Sequence, residues 1–257
     1  MITGSGNAQL KKVRELLRSR EARDREGIFA AEGLKIFEEV PEEAVRAIYV
    51  SESFQKEHGD LLRGQEYEVV ADSRFGSISD TKNPQGVIAL LEKPAWKMQE
   101  IFRKEAPLLL AAEHLQDPGN AGTILRTAEA AGADAVIFTE DSVDIFNPKV
   151  VRATMGSIFR MPVFYVKEAK AFAEMLWEHG IRSYAAYLPG STVYDVPDYT
   201  GGTCFFIGNE SKGLTVAAAE AADVRIRIPM TEHINSLNAA MAAGILLYEA
   251  ARQRRVK

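Results

Sequence analysis

Three stretches of this sequence place polar side chains and glycines where an apolar run gives way to a helical one. The first is Gln116-Asp117-Pro118-Gly119-Asn120-Ala121-Gly122-Thr123-Ile124-Leu125-Arg126. Ile124, Leu125, Ala128 and Ala131 form the apolar stripe of a helix, and Arg126 lies about 200° round from Ile124 at 3.6 residues per turn. Arg126 therefore leaves the core face within the first turns. A lone arginine is ordinarily a solvated surface group. With Asn120 and two glycines in the same loop, contact with a phosphate or a ribose becomes the better reading. The second stretch is Gly208-Asn209-Glu210-Ser211-Lys212-Gly213, which follows the apolar run 204–207 and opens a helix. A glycine turn there lets backbone approach a ligand closely. Glu210 can accept hydrogen bonds or orient an arginine, or simply complement a helix N-terminus. The third runs from Ile228-Pro229-Met230 through Thr231-Glu232-His233-Ile234-Asn235 to Ser236-Leu237-Asn238. Ser236 or Asn235 is a candidate cap for the final helix, and the AAMAAG that follows lets another backbone pack very close.

Other chemistries are disfavoured. Gly213 is not followed by Lys-Ser/Thr, so the second stretch is no P-loop, and no Gly-x-Gly-x-x-Gly fingerprint occurs anywhere. That argues against an ordinary dinucleotide site. His233 lies near the third stretch but has no carboxylate at fixed spacing, and reads as structural or peripheral. One cysteine, Cys204, rules out an internal disulfide and a cysteine-based zinc site. It sits in an apolar run and reads as a small buried hydrophobe. The four histidines show no ligand spacing, so no metal is expected. Net charge is −5, so any nucleic-acid contact has to come from local basic patches.

The elements that must position these stretches alternate regularly. Residues 7–20 predict a helix, with Leu10, Val13, Leu16 and Leu17 at helical spacing and Asn7 as cap. GIFAAEG, AVRAIYVS, EYEVVA and GVIALLE predict strands of a small α/β domain over residues 1–92. The stretch 92–107 has two prolines, Pro94 and Pro107, and mixed charge, and residues 93–106 within it predict a linker. A second α/β series over 107–257 has strands LLLAAEHL, DAVIFTE, MPVFYV, RSYAAYL, GTCFFIG and VRIRIP, with helices between them and a last helix over 236–253. Apolar strands alternating with helices imply a largely parallel sheet covered on both faces. Ligands of such sheets bind at the carboxyl ends of the strands, which is where the three stretches fall. The start of the sequence lacks the apolar run of a signal peptide, and the longest apolar runs are too short to span a bilayer. A soluble, cytoplasmic protein is expected.

Taken in order, QDPGNAGTILRTAEAAG, FNPKVVRATMGSIFRMPV, IGNESKGL and IPMTEHINSLNAAMAAGILLYE resemble the SpoU (TrmH) family of SPOUT RNA methyltransferases, over about residues 107–253. The resemblance implies a parallel-sheet domain with a deep trefoil knot, a rare exception to chain topology rules. It implies S-adenosylmethionine as cofactor, lined by Gly208, Ile228 and Leu237 with help from Asn209, Pro229, Met230 and Ser236. The loop at Tyr187 and Leu188 is a further contributor. It implies 2′-O-methylation of a ribose in RNA, with Arg126, Asn120, Glu210 and Asn238 as the catalytic set. Residues 147–162, including Asn147, Lys149, Arg152 and Gly156, then belong to dimer packing and the RNA-facing surface. A homodimer is implied.

The N-terminal region resembles the small ribosomal-protein-like RNA-binding domain of many SpoU members, through its basic opening helix, FAAEG and Thr81-Lys82-Asn83-Pro84-Gln85-Gly86. Lys11, Lys12, Arg20, Arg23, Lys82 and Arg152 are the implied RNA contacts. The tail Arg252, Arg254, Arg255 and Lys257 is either a second basic patch or a solvated helix end. The separate N-terminal domain favours ribosomal, large-subunit RNA. A transfer RNA methyltransferase, a non-catalytic ribosome-assembly factor on the same fold, and a nucleotide-binding oxidoreductase are the alternatives.

Overall fold

The computed structural model describes residues 2–3, 7–234 and 236–255. The chain forms two compact units, one from Met1–Ala95 with Asp144–Phe159, the other from Trp96–Val143 with Arg160–Lys257. In chain order the elements are α1 Ala8–Arg18, α2 Arg20–Glu26, β1 Ile28–Glu32, α3 Leu34–Phe37, β2 Val45–Ser51, α4 Glu52–His58, β3 Glu68–Val70, α5 Asp72–Phe75 and β4 Val87–Glu92. Then follow α6 Met98–Phe102, β5 Leu108–Ala112, α7 Pro118–Ala131, β6 Ala135–Thr139, α8 Pro148–Thr154 and β7 Val163–Val166. The last are α9 Ala169–Glu178, β8 Arg182–Ala186, β9 Thr192–Val193, β10 Thr203–Ile207, α10 Val216–Ala221, β11 Val224–Arg227 and α11 Ala239–Arg255.

In the first unit, Asn7 Oδ1 takes the amides of Gln9 and Leu10 and so starts α1. The helix expected over 7–20 is in fact two. Ser19 is extended, ends α1 and caps α2 through the Ala22 amide. The sheet order is β1-β4-β2-β3, with only the β2–β3 pair parallel. Leu10, Val13, Leu16 and Leu17 of α1 pack with Ala30, Tyr49, Ile88 and Leu90 on one face. Phe29, one residue along β1 from Ala30, points to the other face. There its ring meets Phe146 at 4.8 Å and Phe159 at 6.3 Å.

Those two phenylalanines come from the segment Asp144–Phe159, which packs within the first unit. Most of the stretch assigned from sequence to a dimer or RNA-facing surface therefore serves as part of this unit's core, with Pro148, Val150 and Val151 of α8 buried. The break between units falls at Ala95/Trp96. Within the stretch read as a linker lies α6, whose Ile101 is buried in the core of the second unit.

The second unit carries a seven-stranded sheet, parallel throughout, in the order β7-β6-β5-β10-β8-β11-β9. Every residue of β5, β6 and β10 is buried, as a sheet covered on both faces requires. On one face Leu109, Ile137, Cys204 and Phe206 pack with Phe172 and Leu176 of α9 and Ala218 of α10. On the other, α11 lies against α7. At Gly244 even a methyl group would come within 3.4 Å of Thr127 Cγ2, so the small residues of α11 do permit close approach. Cys204 is fully buried and burial pushes its thiol well up, as befits a packing residue. No helix among the described residues is long and apolar enough to cross a membrane.

Candidate active site

Strands β5, β6 and β7 run outward in one direction, while β10 and β8 lie on the other side of β5. The chain direction across the sheet reverses at β5/β10, and ligand clefts form at such switch points. Two of the three polar stretches leave the sheet there. Asp117 caps α7 by accepting the Asn120 amide at 2.7 Å, with Pro118 at the first helical position, so α7 starts earlier than its apolar stripe alone shows.

Glu210 is the hub of the site. One carboxylate oxygen accepts from the Asp117 amide at 3.0 Å and from Asn120 Nδ2 at 3.1 Å. The other accepts from Asn209 Nδ2 at 3.2 Å and the Gln116 amide at 3.4 Å. Burial raises its pKa, but these donors outweigh burial and hold the carboxyl below its ordinary range. Asn120 Oδ1 in turn accepts from Asn238 Nδ2 at 2.8 Å. Asn238 Oδ1 takes the amides of Ala240 and Met241, so Asn238 itself caps α11. This corrects the expected cap at Ser236 or Asn235. The helix starts later, at Ala239, and Asn235 lies outside the described residues. Glu210, Asn120 and Asn238 thus form one hydrogen-bonded chain across three segments distant in sequence.

Arg126 is not part of that chain. It is exposed on α7, on the stripe shared by Gly119, Thr123 and Ala130, and no described residue bonds its guanidinium. Glu210 and Asn120 direct their side-chain bonds to Asp117, to Asn238 and to each other rather than to Arg126. Arg126 remains available to an incoming group.

Sequence reasoning missed His114. It is one of two non-glycine residues among those described with positive φ, at 54°. Its ring Nδ1 bonds Asp141, and its amide donates to Thr139 Oγ1 at 2.8 Å. Its carbonyl accepts Asn209 Nδ2 at 2.8 Å. Asn209 Oδ1 then receives the amides of Ser211 and Lys212. The bent backbone at His114 therefore anchors the loop that presents Glu210. The sequence signal was a histidine near the end of the expected strand LLLAAEHL, and its aspartate partner lies 27 residues on.

Beside this chain lies a cavity of about 410 Å³. Gly208, Asn209, Ile228, Met230, Ser236 and Leu237 line it, as do Glu210, Tyr187 and Leu188. Pro229 is exposed in the same loop and is not among the lining residues. Gly208 is there of necessity. A Cβ at this position would fall inside the backbone of Gly213 and Leu214, closer than real Cβ atoms approach anything. The paired backbone bonds between Asn209 and Gly213, at 3.1 and 2.9 Å, close the turn.

The residues assigned to RNA fare unequally. Lys11 and Lys82 are exposed. Lys12 pairs with Glu26 at 2.9 Å and Arg20 with Asp24 at 3.7 Å, both at the surface. Arg23 has to be withdrawn as a phosphate contact. It is 2% exposed, bonds Asp144 at 2.6 and 2.9 Å, and also donates to the Leu16 carbonyl. Arg152 is half-buried between Asp80 and Glu32. In the tail, Arg252 pairs with Glu249, and Arg254 donates to the carbonyls of Tyr199, Ala106 and Gly201. Arg254 thus ties α11 to the rest of its unit, whereas the Arg252 pair lies within the helix itself, and Lys257 lies outside the described residues.

A parallel α/β sheet with a mixed apolar and polar cleft at its switch point defines a ligand-binding α/β protein. The SpoU rRNA Methylase family model matches residues 107–248, and an MRM3-like substrate binding domain matches residues 7–89. A 23S rRNA (guanosine(2553)-2′-O)-methyltransferase of Bacillus subtilis is 30% identical over 96% of this chain and 97% of its own length. A 23S rRNA (uridine(2479)-2′-O)-methyltransferase of Streptomyces viridochromogenes is 32% identical over 97% of this chain and 91% of its own. The crystal structure of the SpoU methyltransferase AviRb from Streptomyces viridochromogenes in complex with AdoMet superposes with a TM-score of 0.86. It is 30% identical and covers 98% of this chain and all of that one. The chain belongs to the SpoU rRNA methylase family.

Proposed function

We propose that this chain transfers a methyl group from S-adenosylmethionine to the 2′-hydroxyl of a ribose in large-subunit ribosomal RNA. The observation that carries the proposal is the Glu210–Asn120–Asn238 chain beside an apolar cavity, with Arg126 exposed on the helix that also bears Asn120. The cavity suits the cofactor. Its volume of about 410 Å³ lies in the range of small-molecule sites. Ile228 and Leu237 offer apolar surface, and Asn209, Glu210 and Ser236 offer polar groups. Gly208, Ile228 and Leu237 would hold the cofactor, with Asn209, Met230 and Ser236 beside them and Pro229 stiffening the loop. When bound, S-adenosylmethionine supplies a methyl group already activated on a positive sulfur.

The protein's own work is alignment and handling of one proton. Arg126 keeps its proton under ordinary conditions, so it acts as organiser and charge stabiliser of the 2′-oxygen as negative charge develops there. Glu210 fixes the start of α7 and Asn238 the start of α11. Between them Asn120 is oriented through both ends of its amide. Lys11, Lys12, Arg20, Lys82 and Arg152 are the basic residues of the first unit proposed to position RNA. The C-terminal region is proposed to carry the trefoil knot. The chain is proposed to act as a cytoplasmic homodimer, since Leu237, Met241 and Tyr248 leave exposed apolar surface at and before α11.

The test is methyl transfer from labelled S-adenosylmethionine to separated ribosomal and transfer RNA from cells lacking the protein, followed by nucleoside analysis. A labelled 2′-O-methyl nucleoside in large-subunit RNA is expected. Label in transfer RNA alone would overturn the substrate, and label on a base would overturn the chemistry.

A further inference from the structure

The first unit holds a cavity of about 230 Å³ that the site above does not use. Leu17 and Ile78 form an apolar floor, while Arg14 and Arg18 of α1 and Lys82 stand around it with Ser77. The loop on its far wall is rigidly built. Glu32, buried to 2% exposure, accepts from the hydroxyls of Ser79 and Thr81 and from the Asp80 amide at 2.9 Å. Asp80, the acid that also lines the cavity, is turned to Arg152 at 2.9 Å. Its charge is therefore already countered.

The cations here differ from their neighbours. Lys12, Arg20, Arg23 and Arg25 of the same two helices are each paired with an acid of this unit. Arg18 and Lys82 are exposed, and no described acid pairs with either. In a chain with net charge −5, two uncompensated cations converge on one concavity, beside a third, Arg14. A cationic rim over an apolar floor suits a phosphodiester, with the edge of its sugar on Leu17 and Ile78.

We propose that this pocket seats a backbone phosphate of the substrate RNA, with Arg18 and Lys82 as its principal ligands and Arg14 in support. The proposal rests on the reading that the chain acts on RNA. It goes beyond that reading by naming a site that positions RNA without reading bases.

The experiment measures binding of full-length protein to a large-subunit ribosomal RNA fragment by fluorescence anisotropy across a potassium chloride series. Arg18→Gln with Lys82→Gln is compared with Arg63→Gln, an exposed arginine paired with Asp60 and outside the pocket. Loss of the phosphate contact lowers the slope of log affinity against log salt by about 1. The pocket variant is expected to show that loss and to raise KM for RNA, with its cofactor titration unchanged. Arg63→Gln is expected to keep the original slope. An unchanged slope in the pocket variant overturns the site, as does an equal drop in Arg63→Gln. So does a pocket that takes inorganic phosphate while the RNA slope stays the same. If the unaltered protein binds no ribosomal RNA, the proposed function and this site fall together. If it binds and methylates RNA while the pocket variant keeps its slope, only this site falls.

Discussion

Replacing Gly208 with alanine adds a single methyl group, yet it is expected to be one of the most damaging changes in the second unit. The added Cβ meets the backbone of Gly213 and Leu214, which unlike a flexible side chain has no rotamer to escape into. The turn has to open, releasing the two backbone bonds between Asn209 and Gly213. Each contributes about 1 kcal/mol, and forcing atoms into packed structure costs roughly a further 1–3 kcal/mol. A loss of roughly 3–5 kcal/mol follows from the two together, or a fall of about 10 °C in Tm for a chain of this size. Gly213→Ala is the control. Its φ of 68° is costly for alanine, but nothing lies within 4 Å of the new methyl, so only about 1–2 kcal/mol is at stake. Thermal melting ranks the two variants, and calorimetric titration of S-adenosylmethionine reads the cavity wall directly. If Gly208→Ala melts no lower than Gly213→Ala and binds cofactor with the original Kd, the closed turn is not what shapes this site.

Four further outcomes are expected. Glu210→Gln turns an amide nitrogen toward donors that now face a carboxylate, and the half-exposed loop should weaken by about 1–2 kcal/mol, read as lower cofactor affinity. Because the Glu210 pKa is depressed in the folded protein, its contribution is full above the ordinary carboxylate pKa of about 4.3 and is lost as pH falls through the lower folded value. That acid-side decline in stability should be smaller in Glu210→Gln, and equal falls in Tm on acidification would argue against it. Arg126→Ala should lower kcat by about 10²–10³ while leaving the cofactor titration unchanged, and near-normal turnover would remove Arg126 from the mechanism. Arg23→Ala strands Asp144 and should cost about 3–5 kcal/mol of stability without changing the salt slope of RNA binding. A changed slope with unchanged melting would return Arg23 to the RNA surface.

What the sequence made legible was whatever is decided locally. The cap at Asn7, the apolar stripe of α7 and the outward position of Arg126 each depend on neighbours within a turn or two, and each stands in the structure. The cavity lining was legible only as a resemblance, and six of the seven residues so named lie on its wall. What stayed hidden depends on partners far along the chain. Arg23 read as one more cation of a basic run because Asp144 is 121 residues away. His114 carried no sign of its left-handed backbone, which Asp141 and Thr139 hold from the next strand and the turn after it. The place of β10 between β5 and β8 leaves no trace in periodicity, since each strand is equally apolar. Short elements such as β9 and α5 offer too few residues for any period to register.

The segment Asp144–Phe159 gives the two units an unusual genealogy. The polypeptide crosses from one to the other three times, after Ala95, Val143 and Phe159. A fragment cut at the first crossing would keep all four strands of its sheet. It would lose the phenylalanines that cover Phe29 and the carboxylate that neutralises Arg23. Such a fragment would expose an apolar sheet face and leave a guanidinium in the core without its counter-ion. The N-terminal unit is therefore not a cassette that recombination could graft onto a foreign enzyme at a single joint. The piece that completes it lies beyond that joint, inside the stretch 107–248 that the methylase family model matches.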